Sequence, residues 1–96
     1  GEVLLKHPHV LIATDDMYEH VNLTGEKFHN ILNAAPGLKD RCIVLNGVSK
    51  AYSMTGWRIG YAAGPAYIIK AMEILQSQST SNPTSISQYA AEAALS

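Results

Sequence analysis

The sequence contains little cysteine, little charge and few aromatic residues. Of its 96 residues, 16% are charged, 7% are aromatic, and Cys42 is the single cysteine. One cysteine cannot form a disulfide within the chain, which excludes a disulfide-stabilised secreted scaffold. A formal net charge of -1 provides no positive surface for a polyanion, so we predict that nucleic acid is not a partner.

Long apolar runs are also lacking. A membrane-spanning helix needs about 20 consecutive, predominantly apolar residues. The longest uncharged run, residues 74–91, contains the polar segment Gln76–Pro83, which would be costly to bury in lipid. Gly1–Leu5 has neither the basic region nor the small-residue cleavage site of a secretory signal. We therefore predict no membrane partner and a cytoplasmic location.

Three apolar runs predict the strands of an α/β fold. They are Val10–Ala13, Cys42–Leu45 and Arg58–Gly64. Long connections separate these runs, which is typical of α/β layering and not of a β-sandwich. The first run is apolar without alternation, so we expect that strand to be buried on both faces. Between the first two strands, the apolar spacing of Phe28–Leu32 predicts one or two helical turns.

Two helices are predicted after the third strand. Ile68–Leu75 contains an apolar stripe at helical spacing, and Pro65 before it is suited to the first turn of a helix. A last helix is predicted to begin near Ser85, which has capping-box spacing to Gln88. That helix reaches the end of the sequence without a C-cap residue, and Gly1–Lys6 has the pattern of a helix tail. We therefore expect the chain to be part of a longer one.

Polar residues follow the first two predicted strands. Asp15 and Asp16 come after the first strand, and Asn46–Lys50 comes after the second. Ligands of open α/β sheets bind outside the carboxyl ends of the strands, so we expect both clusters to face one crevice. The second cluster is not a phosphate-binding P-loop, because that motif requires lysine directly after glycine and a hydroxyl residue directly after the lysine.

Lys50 can be interpreted in two ways. An amine shielded from water at the end of a buried strand is the nucleophile of Schiff-base chemistry, and the alternative is an ordinary surface lysine. Three other side chains favour the first interpretation. Arg58 lies between two glycines and can hold a phosphate bidentately, and Asp15 and Tyr18 follow the first strand. Together these groups suit a phosphorylated aromatic aldehyde with a ring nitrogen.

The segment Ser49–Gly60 resembles the cofactor-attachment motif of class I pyridoxal-phosphate aminotransferases, in which S-K is followed by G-x-R-x-G. Within that family, Val44–Lys50 and Met54–Tyr61 are most similar to bacterial aspartate aminotransferases. Thr14–Glu19 resembles the D-x-x-Y element of the family, and Ser81–Ser85 resembles a segment found downstream of the lysine. The resemblance covers nearly the whole chain.

The resemblance implies a fold and an activity. Residues 1–96 would be an internal part of the pyridoxal-phosphate-binding large domain of fold type I, whose mixed, mostly parallel sheet is flanked by helices. The small domain and the N-terminal part would be absent. The longer enzyme of which this chain is a part, its parent enzyme, would be a homodimer. It would transfer an amino group between an L-amino acid, with aspartate or glutamate expected, and a 2-oxo acid.

The resemblance also implies roles for five residues. Lys50 would be the catalytic residue, forming a Schiff base with pyridoxal phosphate and then moving a proton between the substrate and the cofactor. Asp15 would accept a hydrogen bond from the protonated pyridine nitrogen. Tyr18 would donate to the phenolic oxygen of the cofactor. Arg58 would bind the phosphate, together with the hydroxyl of Ser49.

Two positions bear on how these roles are assigned. Some branches of the family have a phosphate-contacting serine three residues before the lysine, where this sequence has Gly47. Asp15 is adjacent to Asp16, and only the three-residue spacing to Tyr18 selects Asp15, so we expect Asp16 to be a strand-end or turn acid. The four histidines share no metal-ligand spacing and Cys42 has no CxxC partner, so we predict no metal site.

Two alternatives remain open. One is that the 96 residues on their own are a non-catalytic piece of the cofactor-binding scaffold. The other is that the parent enzyme is a related pyridoxal-phosphate-dependent lyase or decarboxylase. The second alternative stands because lysine, aspartate and arginine serve all of these reactions. The residues that select among the bonds of the substrate lie outside this chain.

Overall fold

The computed structural model describes residues 1–96 and contains three strands and five α-helices. The strands are β1 (Ile12–Asp15), β2 (Cys42–Gly47) and β3 (Gly60–Ala63). The helices are α1 (Glu2–Leu5), α2 (Ile31–Ala34), α3 (Val48–Ala51), α4 (Ala66–Ser77) and α5 (Ser85–Leu95). Two 3-10 helices, Pro36–Arg41 and Thr55–Trp57, precede β2 and β3. The predicted α/β class is confirmed.

The three strands form a mixed sheet with the order β1-β2-β3. β1 runs parallel to β2, with Asp15 beside Leu45 in the register. β3 runs antiparallel to β2, with Gly60 beside Gly47. The expected mixed sheet is therefore present, and β1 and β2 end at the same edge of it.

The first strand begins two residues later than the sequence predicts. The N–H of Val10 donates to the carbonyl of His7 at 3.1 Å, which closes a turn where an extended strand was expected. The guanidinium of Arg41 also donates to three main-chain carbonyls of this segment. Their oxygens, at N···O distances of 2.5, 3.1 and 2.6 Å, belong to Leu4, His7 and Val10. Because these carbonyls are already bonded, strand pairing starts only at Ile12.

The expectation that the first strand is buried on both faces is wrong for this chain. Ile12 and Thr14 are half-buried, whereas Ala13 and Asp15 are exposed. The 96 residues cover only one face of β1. Successive side chains of the strand therefore alternate between half-buried and exposed, and this alternation does not follow their polarity. The fully buried side chains lie mostly along β2 and next to its ends: Leu38, Cys42 and Val48.

The polar segment after β2 is helical. β2 continues to Gly47, and the single turn of α3 then carries both Ser49 and Lys50. β3 is shorter than predicted, because Arg58 has φ 55 and ψ 45, a left-handed conformation that a strand cannot contain. β3 therefore begins at Gly60.

The two long helices are present, although the start of the second differs in detail. α4 follows Pro65 as predicted, and α5 begins at Ser85. The capping box expected at Ser85 is wrong, because Thr84 is the N-cap and its side chain makes no capping hydrogen bond. The side-chain amide of Gln88 donates instead to the carbonyl of Pro83 at 2.7 Å.

A capping box does occur at α2. The side chain of Asn30 accepts hydrogen bonds from the N–H groups of Leu32 and Asn33, and the side chain of Asn33 accepts from the N–H of Asn30. The helix predicted around Phe28–Leu32 therefore begins only at Ile31. None of the helices is both long enough and apolar enough to span a membrane.

Candidate functional site

Asp15 is the last residue of β1 and borders an open groove of about 530 Å³. One carboxylate oxygen of Asp15, Oδ1, accepts a hydrogen bond from the N–H of Met17 at 3.2 Å. Leu45 of β2 and Met72 of α4 give the groove an apolar lining. The exposed carboxylate is thus fixed by its own turn, while Oδ2 is free to accept a hydrogen bond from a ligand.

Tyr18 and Lys50 come together from separate segments. Nζ of Lys50 lies 5.6 Å from the centroid of the Tyr18 ring, which is within the range of a cation–π interaction. Tyr18 follows β1 and Lys50 lies in α3 directly after β2, so the parallel pairing of the two strands accounts for the contact. Both side chains are exposed, and the chain by itself does not shield the amine from water.

Ser49 immediately precedes Lys50 in α3 and is half-buried. Successive residues of an α-helix point about 100° apart, so the hydroxyl and the amine leave this turn in different directions. Val48, at the start of the same turn, is fully buried and anchors it to the core. This anchor fixes the turn that presents Ser49 and Lys50 at the edge of the sheet.

Arg58 follows the second 3-10 helix in an exposed, left-handed conformation. Its Nη1 donates to the carbonyl of Thr55 at 2.8 Å. This bond uses one of the five N–H donors of the guanidinium, and the others remain available for an anion. No hydrogen bond or ion pair links Arg58 to Asp15, Tyr18 or Lys50, so the chain alone does not assemble all the predicted site residues into one contact network.

Gly47 lies where β2 and the segment leading into β3 come closest. A Cβ atom at this position would lie 2.9 Å from the carbonyl oxygen of Ile59 and 3.2 Å from Cα of Gly60. Real Cβ atoms are essentially never this close to a main-chain oxygen. The glycine is therefore required by packing, which gives a physical reason why no hydroxyl side chain is found three residues before Lys50.

Sequence reasoning identified Asp16 as a structural acid, but it missed the residues that bind it. Asp16 is 5% exposed, and its carboxylate accepts hydrogen bonds from Oγ1 of Thr14 at 2.8 Å and from Nδ2 of Asn30 at 3.0 Å. Successive strand residues point to opposite faces, which directs Asp15 outward and Asp16 inward. The sequence feature that could have indicated Asn30 as a helix N-cap was its position three residues before Asn33, at the start of a helix.

Two ionisable groups near the sheet have raised pKa values. Burial raises the pKa of the Cys42 thiol, and the nearby Asp16 raises it further. For Tyr61, which borders the same groove as Asp15, burial raises the pKa of the phenol, with added contributions from Glu19 and Tyr52. Both groups therefore keep their protons at neutral pH. No cluster of three His, Cys, Asp or Glu side chains is arranged to hold a metal ion.

The sequence matches the family model described as aminotransferase class I and II over residues 2–96. It is 73% identical to the aspartate/prephenate aminotransferase of Nitrosomonas europaea over 95 residues, which are 99% of this chain and 24% of that relative. It is 61% identical to the aspartate aminotransferase of Rhizobium meliloti over 94 residues, which are 98% of this chain and 23% of that relative. The chain thus spans about a quarter of the length of these relatives.

Solved structures show the same likeness. The crystal structure of the aspartate aminotransferase from Rhizobium meliloti superposes with a TM-score of 0.87 at 61% identity, covering 91% of this chain and 22% of that one. The aspartate aminotransferase from Thermus thermophilus with maleate superposes with a TM-score of 0.80 at 39% identity, covering 93% of this chain and 22% of that one. The fold of the 96 residues is thus that of the matching quarter of these enzymes.

Proposed function

This chain belongs to the class I and II aminotransferase family, and on that premise we propose that residues 1–96 are an internal part of the cofactor-binding large domain of a longer enzyme. We call that longer polypeptide, with its small domain and N-terminal part, the parent enzyme. Its proposed reaction is transfer of an amino group between an L-amino acid, aspartate or glutamate, and a 2-oxo acid. The observation that carries the proposal is the approach of Nζ of Lys50 to the ring of Tyr18, at the edge of the sheet where β1 ends in Asp15.

The proposed cofactor is pyridoxal phosphate, and the donor set of the chain fits it. A carboxylate, a phenol, an amine and a guanidinium are complementary to a ring nitrogen, a phenolic oxygen, an aldehyde and a phosphate, respectively. The guanidinium of Arg58 keeps free donors, and the carboxylate of Asp15 keeps one free oxygen. When bound, this cofactor supplies the electron-withdrawing ring that stabilises a carbanion.

The chain contributes binding, orientation and proton transfer. Lys50 would hold the cofactor through its amine and would move a proton at the substrate α-carbon. Asp15 accepts a hydrogen bond from the ring nitrogen and so keeps that nitrogen protonated. The hydroxyl of Tyr18 would donate a hydrogen bond to the phenolic oxygen of the cofactor, and the ring of Tyr18 adjoins Nζ of Lys50. Ser49 and Arg58 bind the phosphate.

We further propose that the parent enzyme is a homodimer in the cytoplasm. Eighteen large apolar side chains of this chain are exposed, among them Leu23, Ile86 and Tyr89. Apolar area of this extent is normally covered by protein, so the rest of the parent chain and a second subunit are its proposed cover. A reducing compartment suits a chain whose single cysteine, Cys42, is a free thiol.

An assay of the parent enzyme with aspartate and 2-oxoglutarate tests the proposed reaction. We expect transamination, and we expect Lys50→Ala to lower kcat at least about 10³-fold because it removes both the nucleophile and the proton carrier. Lys70→Ala, which removes an exposed lysine of α4, is the matched control and is expected to keep full activity. Release of carbon dioxide without amino transfer would identify a decarboxylase and contradict the proposal.

For the 96 residues in isolation, we propose a non-catalytic scaffold. The observation that favours this is the exposure of both Asp15 and Lys50, since the chemistry requires a site closed to water. Incubation with pyridoxal phosphate, reduction with borohydride and mapping of the label would show modification spread over the exposed lysines. A label confined to Lys50, or transamination by the isolated chain, would overturn this part of the proposal.

A further inference from the structure

The loop that carries Tyr18 is closed at its base by a partly buried side-chain hydrogen bond. The loop leaves β1 at Asp16 and reaches α2 at Asn30. Nδ2 of Asn30 donates to Oδ2 of Asp16 at 3.0 Å, which joins the first residue of the loop to the last. The carboxylate of Asp16 is 5% exposed, so water competes poorly for this bond.

Asp16 is bound on every side. Its N–H donates to the carbonyl of Leu45 at 2.9 Å, which continues the pairing of β1 with β2 one residue past the strand. Its carbonyl accepts from the N–H of Glu19 at 3.0 Å, which forms the turn that contains Tyr18. Oδ1 of its carboxylate accepts from Oγ1 of Thr14 at 2.8 Å. One residue therefore joins the sheet, the turn and the far end of the loop.

Asn30 serves this network and α2 at the same time. Its Oδ1 accepts from the N–H groups of Leu32 and Asn33, both at 3.0 Å, while its Nδ2 binds Asp16. The amide is thus oriented from both of its ends. An aspartate is as good an N-cap as an asparagine, whereas two carboxylates facing each other across this contact would repel.

We infer that Asp16 is a positioning residue, which holds Asp15 and Tyr18 toward the cofactor by fixing the base of the loop through Thr14 and Asn30. Asp15 precedes it and points to the opposite face, toward the groove. Tyr18 lies two residues after it and adjoins Lys50. This inference rests on the proposed function, because it concerns residues that act on the proposed cofactor.

The test uses the parent enzyme loaded with pyridoxal phosphate and the substitution Asp16→Asn, which removes the negative charge that accepts from Thr14 and Asn30 and leaves an amide nitrogen facing one of them. We expect the dissociation constant of pyridoxal phosphate to rise about threefold to tenfold, because the loop that carries Tyr18 is released. We also expect the ratio of the two absorption bands of the bound cofactor to change at fixed pH. Asp40→Asn, the same substitution at an exposed aspartate, is the matched control and should leave both quantities unchanged.

A swapped pair tests whether the bond between residues 16 and 30 carries the effect. The double variant Asp16→Asn/Asn30→Asp restores a donor opposite an acceptor and keeps an N-cap at α2, so we expect the affinity and the absorption spectrum to return toward the parent values. If Asp16→Asn does not fold, Thr14→Val removes a single donor to the carboxylate and should shift both quantities in the same direction by a smaller amount.

The outcomes distinguish this inference from the proposed function. A lower melting temperature for Asp16→Asn, with affinity and spectrum equal to those of the Asp40→Asn control, would overturn the positioning role and leave the proposed function intact. Failure of the parent enzyme to form a borohydride-reducible adduct at Lys50 would overturn the proposed function, and this inference with it.

Discussion

At the scale of single residues, Gly47 allows β2 to approach closely the chain segment that leads into β3. We expect Gly47→Ser in the parent enzyme to reduce the free energy of unfolding by about 1–3 kcal/mol, because the added Cβ would lie 2.9 Å from the carbonyl oxygen of Ile59. Urea unfolding measures the change. Gly56→Ala is the matched control, since a Cβ there meets nothing within 4 Å. Equal costs at the two glycines would contradict the packing explanation.

We expect Cys42 to give the stability of the parent enzyme a dependence on alkaline pH. Burial, followed by the charge of Asp16, raises the pKa of this thiol above its ordinary 9.0, so the folded state holds the proton more tightly than the unfolded chain. The resulting stabilisation is complete below pH 9.0 and is lost as the pH rises through the folded pKa. We expect Cys42→Ala to weaken this loss of stability, which urea unfolding on both sides of pH 9.0 would measure. If the free energy of unfolding fell equally with pH in the variant and in the unsubstituted enzyme, the thiol would not be its cause.

The residues of the candidate site were predictable to different degrees. Lys50 and Arg58 lie in one continuous segment that resembles the cofactor-attachment motif of the family, so the resemblance selected them and their roles stay predictions. The choice of Asp15 over Asp16 also agrees with the strand geometry, which turns the first outward and the second inward. The bond of Asn30 to Asp16 could not be foreseen, because it depends on how a loop of irregular structure returns to the sheet.

At the scale of elements, Arg41 ties the segment before β1 to the 3-10 helix before β2. We expect Arg41→Ala in the parent enzyme to lower the free energy of unfolding by about 2 kcal/mol or more, because three main-chain carbonyls lose a charged donor. Lys39→Ala, at an exposed position of the same 3-10 helix, is the control. Urea unfolding measures both variants. If Arg41→Ala lost no more stability than Lys39→Ala, water would be replacing the hydrogen bonds of the guanidinium.

The same arginine explains why one element boundary could not be predicted. Val10 and Leu11 are apolar and suit a strand, yet the turn at His7 and the bonds from Arg41 delay the strand to Ile12. Arg41 is 31 residues from Val10 in sequence, so no local pattern contains this contact. The succession of strands and long helices along the chain was predictable because it depends on local periodicity. The start of β1 depends instead on a distant contact, and the start of β3 depends on the left-handed conformation of Arg58.

At the scale of the whole molecule, the 96 residues form an open slab and not a compact domain. The radius of gyration is 15.2 Å, compared with about 12 to 13 Å expected for a compact domain of this length. Only 8 of the 96 residues are buried. A single sheet with both edges unpaired, in a chain with eighteen exposed large apolar side chains, lacks the core that cooperative folding requires.

We therefore expect the isolated chain to unfold over a broad range of urea concentration and to bind the dye ANS before urea is added. The parent enzyme, in which these faces would be covered, is the comparison and should unfold steeply without binding the dye. A single steep transition of the isolated chain, with far-UV and near-UV circular dichroism changing together, would show that the 96 residues form an independent folding unit.

The slab measures 43 × 40 × 18 Å, so its thickness is that of one sheet and one layer of helices. In the parent enzyme, both broad faces would meet other parts of the protein, and nearly every side chain would become an interface residue. A chimera that exchanges this segment between two related enzymes must therefore match two extended contact surfaces, whereas exchange of a surface loop needs to match only two ends. Recombination across this family should accordingly be tolerated far better at exposed loops than within these contact surfaces.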